Sequence, residues 1–260
     1  MRPWVLATAG AAALAGIGVA AARSKGGTDV GLRRSFEYAL LGVPHGLLGR
    51  IGVRMMAATK GSFYRAMAAE LDLRPDDVLL DVGCGAAGLL VEQASNVSFV
   101  AGLDASEMQI GMARRRLTDR LAAGTAELVL GDAAVLPWED DRFSVVTSLD
   151  ALKFVPDPQA ALREMVRVLR PGGRAVITVS DATTTPIGSA ARSGTLDAWG
   201  MWYWSEADAR RMAEEAGLVD VTVSELPVFS KPLTVRGAKP TSSTLEEAPE
   251  TAVLVGAAVG

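Results

Sequence analysis

The stretch LLDVGCGAAG, residues 79–88, joins an apolar run to an acid and three glycines. The spacing Gly83-x-Gly85-x-x-Gly88 marks a strand-to-helix turn where backbone can approach a ligand closely. Such a turn suits a dinucleotide, with its pyrophosphate at the helix N-terminus. It suits another nucleoside cofactor equally well. Acids follow along the chain. Asp104 lies 21 residues after Gly83, where a carboxylate can accept hydrogen bonds from ribose hydroxyls. Every nucleoside has a ribose, so Asp104 does not choose between ligands. Asp81 discriminates better. Two residues before Gly83, it sits badly beside a pyrophosphate and well beside a cationic sulfur or an amino group. Asp132, in GDA, can accept from an adenine amino group.

The elements that must position these residues alternate in type. VLLDVGC, VSFVAGLDA, AELVLGDA, FSVVTSLDA and RAVITVS have the composition of strands. AAGLLVEQAS, SEMQIGMARRRLTDRLAAG and DPQAALREMVRVLR have the periodicity of helices between them. Alternation of this kind predicts an α/β, Rossmann-like, doubly wound parallel sheet. Runs such as VLLDV and AVITV fit strands covered on both faces. SEADARRMAEEAG is a further helix, with Ser205 as N-cap and Gly217 at its end. LVDVTVSEL and KPLTVRGAK follow with only a short break, the pattern of an antiparallel terminal hairpin. In such a sheet ligands bind beyond the carboxyl ends of the strands, which is where Asp81, Asp104, Asp132 and Asp150 fall. LRPGG reads as a helix stop and strand lead-in.

Composition limits the alternatives. The 260 residues contain one cysteine and one histidine, Cys84 and His45. An intrachain disulfide, a cysteine-rich zinc site and a two-histidine metal site are therefore excluded, and no metal is expected. Cys84 reads as an apolar filler and His45 as structural. The net charge is −4, unevenly spread: residues 1–65 hold nine Lys/Arg against two acids, leaving −11 for the remainder. Residues 3–22 are uncharged, about the ~20 residues a helix needs to span a bilayer. Residues 1–22 are expected to be a transmembrane or membrane-anchor helix; a cleaved signal peptide and a simple apolar tail are the alternatives. Ala12, Gly16 and Ala20 form a small-residue row for helix packing. Arg23, Lys25, Arg33 and Arg34 outnumber Arg2, which by the positive-inside rule is expected to keep the body of the chain cytoplasmic. Residues 23–73 read as a basic helical arm or lid, 74–238 as the α/β domain and 239–260 as a flexible tail. A membrane is the expected partner of the basic arm, and nucleic acid is not.

From about residue 77 to 240 the chain resembles class I S-adenosylmethionine-dependent methyltransferases. It is most similar to the small-molecule branch that includes ubiquinone/menaquinone and sterol methyltransferases. LLDVGCGAAG, GLDAS, GDAAVLPWEDDRFSVV and REMVRVLRPGGR carry the resemblance, in the family's order. It implies a seven-stranded sheet with N-terminal helices, S-adenosyl-L-methionine as cofactor and methyl transfer as the activity. It implies that Gly83 and Gly85 admit the cofactor's amino-acid end with Asp81 in support, and that Asp104 holds both ribose hydroxyls. Asp132, with the Ala133 backbone nearby, would bind the adenine amino group, and Ser148 and Leu149 would flank the methyl-donor region. The chain departs from the pattern at Ala87, where a third glycine is usual, at Gln109-Ile110 in place of Met-Leu, and at Phe154 in place of a histidine.

A nicotinamide-dependent oxidoreductase and a non-catalytic cofactor-binding membrane protein remain as alternatives. For methyl transfer, a base is needed only if the acceptor must lose a proton, and Asp150 is the candidate for that role or for orienting the acceptor. GTLDAWGMWYWSEAD concentrates aromatics: Trp199, Trp202, Tyr203 and Trp204. They form either local packing or a wall for a small hydrophobic acceptor.

Overall fold

A computed structural model of the protein describes residues 61–183, 195–196, 201–228 and 231–241. The expected membrane segment, His45, Trp199, most of the basic arm and residues 242–260 lie outside the described residues.

Seven strands form one sheet: β1 (Val78–Val82), β2 (Phe99–Asp104), β3 (Ala126–Leu130), β4 (Phe143–Leu149), β5 (Leu169–Val179), β8 (Val219–Glu225) and β9 (Leu233–Ala238). Their order is β3-β2-β1-β4-β5-β9-β8. The first five are parallel, and β9 runs antiparallel to both β5 and β8. A separate ribbon pairs β6 (Thr195–Leu196) with β7 (Trp202–Tyr203). The expected terminal hairpin is present, and chain direction switches from one side of the sheet to the other between β1 and β4.

Neighbouring residues on the central strands point to opposite faces, and each face has its own core. Leu79, Val145 and Val176 pack with Phe63, Met67, Leu71, Leu90 and Ile110, from α1 (Gly61–Leu71), α2 (Gly88–Gln93) and α3 (Glu107–Arg116). Leu80, Val146 and Ile177 pack with Leu162, Met165, Ala209 and Met212, from α5 (Pro158–Val168) and α6 (Glu206–Glu215). This two-sided burial explains why the strands read as apolar runs with no polar alternation. Every residue of β4 is buried.

Local signals set the boundaries. Ser205 Oγ accepts from Asp208 N at 3.2 Å and so caps α6, as expected. Asp157 Oδ1 accepts from Ala160 N at 2.9 Å ahead of Pro158 and caps α5. The helix expected over SEMQIGMARRRLTDRLAAG is interrupted at Leu117, and α4 (Thr118–Ala122) continues separately. The Thr118 hydroxyl lies 3.1 Å from the carbonyls of both Arg114 and Arg115, and competes with the helix for them. At the other end of the sheet, β9 stops at Ala238 and turn bonds follow. Lys239 N donates to Gly173 O at 2.9 Å and Lys239 O accepts from Gly172 N at 2.8 Å.

One buried cluster locks the amino ends of the central strands. Asp77, 1% exposed, accepts from Ser144 Oγ at 2.6 Å, Arg74 N at 2.8 Å and Arg174 Nη2 at 2.5 Å. Arg174 also donates to Leu71 O at 3.0 Å, which ties α1 to β5. Burial alone would raise the Asp77 pKa, but the bonds from Ser144, Arg174 and Arg74 outweigh it and hold the carboxyl below its ordinary value. A depressed folded-state pKa stabilises the fold above the unfolded-state value, and that stability is lost as pH falls through the folded value. Asp77→Asn is therefore expected to cost about 3 kcal/mol at neutral pH, because it strands Arg174. Urea unfolding should show this loss and a weaker acid dependence of stability below about pH 4 than in the wild type.

Candidate active site

The glycine turn follows β1 directly. Gly83 has φ 79° and Gly85 φ 56°, both left-handed. A Cβ on Gly83 would lie 2.3 Å from Ala151 Cβ, in the turn after β4, so this position admits only glycine. Ala87 shares the left-handed backbone, at φ 58°. Its methyl group is buried, so the departure from glycine is tolerated as local strain offset by packing.

Each acid of the sequence analysis sits at the carboxyl end of one of four adjacent strands. Register places Asp81 of β1 opposite Gly102 of β2, and Asp104 opposite Leu130 of β3. Asp104 accepts from Gly85 N at 2.8 Å through one oxygen and from Ser106 N at 2.9 Å through the other. It thereby fixes the glycine turn to the start of α3. Each carboxylate oxygen has two lone pairs and can accept more than one hydrogen bond at a time. Asp132 is exposed at the rim and accepts from Ala134 N at 2.9 Å; Ala133 beside it is half-buried. Asp81 is 3% exposed. Ser148 and Leu149 are buried at the end of β4.

The loop after Asp132 is held from below. Arg167 of α5 donates to the carbonyls of Leu136 at 2.9 Å and Trp138 at 2.8 Å, to Glu164 at 2.7 Å and to Asp140 at 2.7 Å. Glu164 in turn accepts from Leu136 N at 2.8 Å. The bonds from Arg167 outweigh partial burial and hold the Glu164 carboxyl below its ordinary value. The segment REMVRVLR therefore serves the site at second hand, by positioning the loop that carries Asp132 and Ala133.

Two residues at this edge were missed by sequence reasoning. Tyr64 of α1 covers the glycine turn: a Cβ on Gly88 would lie 2.4 Å from its ring. Burial first, then the carboxylates of Asp81 and Asp150, push the Tyr64 phenol above its usual range, with Arg116 opposing. Burial, Asp81 and Asp104 push the Cys84 thiol up in the same way, which fits Cys84 as a protonated apolar filler. The second residue is Lys153, whose Nζ lies 2.5 Å from Asp150 Oδ1. Only the phrase ALKFVPD, with Phe154 where a histidine was expected, hinted at it.

The aromatic cluster divides. Tyr203 and Trp204 are each 3% exposed and belong to the interior. Trp202 is half-buried, stacks on Trp204 with centroids 6.4 Å apart, and donates from Nε1 to Val155 O at 3.0 Å. Of the described aromatics in this segment, Trp202 is the one that can face a ligand, and it adjoins the turn bearing Asp150 and Lys153.

The arrangement fits a cationic nucleoside. The edge presents carboxylates whose combined field is felt at Tyr64 and Cys84. Carboxylates so placed favour a sulfonium and an amino group over a pyrophosphate. Gln109 adds a second sign of fit. It is buried, its side-chain amide lies 3.7–3.8 Å from where a Cβ on Gly85 would stand, and its Oε1 has no hydrogen-bond partner among the described residues. Among the described residues no acid, histidine and cysteine cluster could hold a metal. Gly83→Ala should weaken S-adenosylhomocysteine binding by about tenfold or more, roughly 1.4 kcal/mol. Asp104→Asn should do likewise, since it also loosens the Gly85 contact. Isothermal calorimetry on the two variants and the wild type checks both.

Residues 80–177 match the family model described as a methyltransferase domain. The demethylmenaquinone methyltransferase of Staphylococcus saprophyticus is 36% identical over 129 residues, 48% of this chain and 54% of that protein. The 27-O-demethylrifamycin SV methyltransferase of Amycolatopsis mediterranei is 32% identical over 178 residues, 68% of this chain and 59% of that protein. The chain thus spans little more than half the length of these curated relatives. Among solved structures, Haemonchus contortus phosphoethanolamine N-methyltransferase 2 with S-adenosyl-L-methionine superposes with a TM-score of 0.63 at 16% identity, covering 80% of this chain and 60% of that one. That likeness concerns the fold alone. Together, the sheet order, the acid-lined glycine turn and the sequence relatives identify residues 80–177 as a class I S-adenosylmethionine-dependent methyltransferase domain.

Proposed function

We propose that the chain transfers a methyl group from S-adenosyl-L-methionine to a small, hydrophobic, ring-containing acceptor at a membrane surface, with its catalytic domain in the cytoplasm. The observation that carries this is the row of carboxylates around the glycine turn, from Asp81 to Asp104 and Asp132, opposite in charge to a cationic nucleoside. The relatives act, by their names, on demethylmenaquinone and 27-O-demethylrifamycin SV, which supports an organic small-molecule acceptor. Trp202, beside the turn after β4, supplies an apolar contact on the acceptor side. The membrane assignment rests on the uncharged residues 3–22 and the excess of Lys/Arg up to residue 65.

When bound, S-adenosyl-L-methionine supplies a methyl group activated by positively charged sulfur. The protein's own part is alignment and electrostatics. Gly83 and Gly85 let backbone approach a ligand, and Asp104, which braces that turn, would hold the ribose. Asp132 and Ala133 would hold the adenine. Tyr64 roofs the turn and excludes water. Asp150 is engaged with Lys153, which suits it to orienting an acceptor group more than to taking a proton.

Incubation of the protein with a deuterated-methyl donor and a lipid and quinol extract should yield a methylated product by mass spectrometry, lost in Asp104→Asn. Calorimetry should detect S-adenosylhomocysteine and not NAD. Donor binding without transfer to any component would favour a non-catalytic cofactor-binding protein instead. Full-length protein should sediment with membranes and a variant lacking residues 1–22 should not; full-length protein in the supernatant would refute the membrane assignment.

A further inference from the structure

The turn after β4 is built more tightly than a connection requires. Asp150 has φ 59°, a left-handed conformation unfavourable for a residue with a side chain. Its amide donates to Thr178 Oγ1 of β5 at 2.8 Å. Its carboxylate holds Lys153 at 2.5 Å, and the Lys153 ammonium lies 5.2 Å from the Phe154 ring centroid. A partly buried ion pair adds little net stability, because the desolvation of its two charges offsets their attraction. Ion-pair stability alone therefore gives no reason to hold a non-glycine residue in this conformation.

The turn's surroundings say where it is aimed. Ala151 abuts Gly83 of the cofactor turn, and Val155 O accepts from Trp202. Residues 150–155 therefore lie between the donor site and the aromatic residue of the acceptor side. Lys153 is 19% exposed and Asp150 31%, accessible to a small ligand and poorly accessible to bulk water. Asp81, Arg116, Asp150 and Cys84 lie near enough to act on the Tyr64 phenol. An anionic acceptor beside Asp150 and Asp81 would be repelled unless a cation offset them, and Lys153 is the cation bonded to Asp150. A lysine ammonium carries three donors, one of which goes to Asp150. An amine acceptor would meet the ammonium as a like charge.

We propose that Lys153, positioned by Asp150, binds the acceptor through an ionised ring hydroxyl, so that the acceptor is a phenol, hydroquinone or enol held as its oxyanion. The hydroxyl proton leaves to solvent on binding; Lys153 contributes charge and a hydrogen bond and does not accept the proton. Asp150 acts through Lys153 and is a positioning residue. This inference rests on the methyltransferase reading of the site.

The test uses the full chain saturated with S-adenosylhomocysteine, with 4-nitrophenol and 4-nitro-1-naphthol as probes whose anions are coloured. Bound to the wild type, the probes should ionise about 1 to 3 pH units below their free values, the effect of an adjacent opposite charge. Lys153→Met should abolish the shift, Lys153→Arg should retain most of it, and Asp150→Asn should retain only part. S-adenosylhomocysteine affinity and the far-ultraviolet dichroism spectrum report that each variant has folded. If the wild type shows no shift with either probe, or Lys153→Met shifts them as the wild type does, the inference is overturned while the methyltransferase reading stands. If the wild type fails to bind S-adenosylhomocysteine at all, the reading itself falls and this inference with it.

Discussion

Carboxylates at the ends of four adjacent strands repel one another, and the upper edge of this sheet is organised around that repulsion. Asp132, Asp104, Asp81 and Asp150 follow the spatial order β3-β2-β1-β4. The structure moderates the charge with local donors: Gly85 N and Ser106 N for Asp104, Ala134 N for Asp132 and the ammonium of Lys153 for Asp150. Part of the field survives and acts on the buried Tyr64 phenol and Cys84 thiol. An edge of this kind is at its lowest energy with a positively charged ligand in place, so the preference for a cationic nucleoside is built into the strand ends before any substrate contact is considered.

Holding such an edge together requires rigidity elsewhere. At the opposite end of the sheet, Asp77, Ser144 and Arg174 join β1, β4 and β5 and fasten α1 through Leu71 O. The same helix carries Tyr64 over the glycine turn, so one brace serves both the core and the roof of the site. Beneath the loop after β3, the Arg167 guanidinium collects two backbone carbonyls and two carboxylates. A planar five-donor group can make those contacts at once, which a lysine could not. The two cores on either face of the sheet make the central strands rigid enough for these small geometric differences to matter.

Much of this was legible in the chain itself. Alternating apolar strands and amphipathic helices specified a doubly wound sheet, because each pattern can bury its apolar side only against the other. A short break between the last two strands specified the antiparallel hairpin. The glycine spacing and the acids at strand ends located the cofactor edge, because only strand ends can present short side chains at that place. Ser205 fixed a helix start by purely local hydrogen bonding. The interruption at Leu117 was not visible, because the Thr118 hydroxyl competes for carbonyls without altering the apolar period.

What the tertiary structure alone decided concerns residues far apart in sequence. Tyr64 meets Gly88 only because α1 packs across the turn. Trp202 and Trp204 are neighbours in the chain and stack on each other, yet only Trp202 remains accessible, since Trp204 is drawn into the core by its bridge to Asp181. Lys153 looked like one more surface cation beside a missing histidine. It pairs with Asp150, which has a left-handed backbone and whose amide donates to Thr178, a residue of the next strand. The sequence determined which elements form and which edge binds the cofactor, because these follow from local periodicity and turn chemistry. Packing between distant segments determined which side chains reach that edge, because burial and charge pairing are properties of neighbours in space.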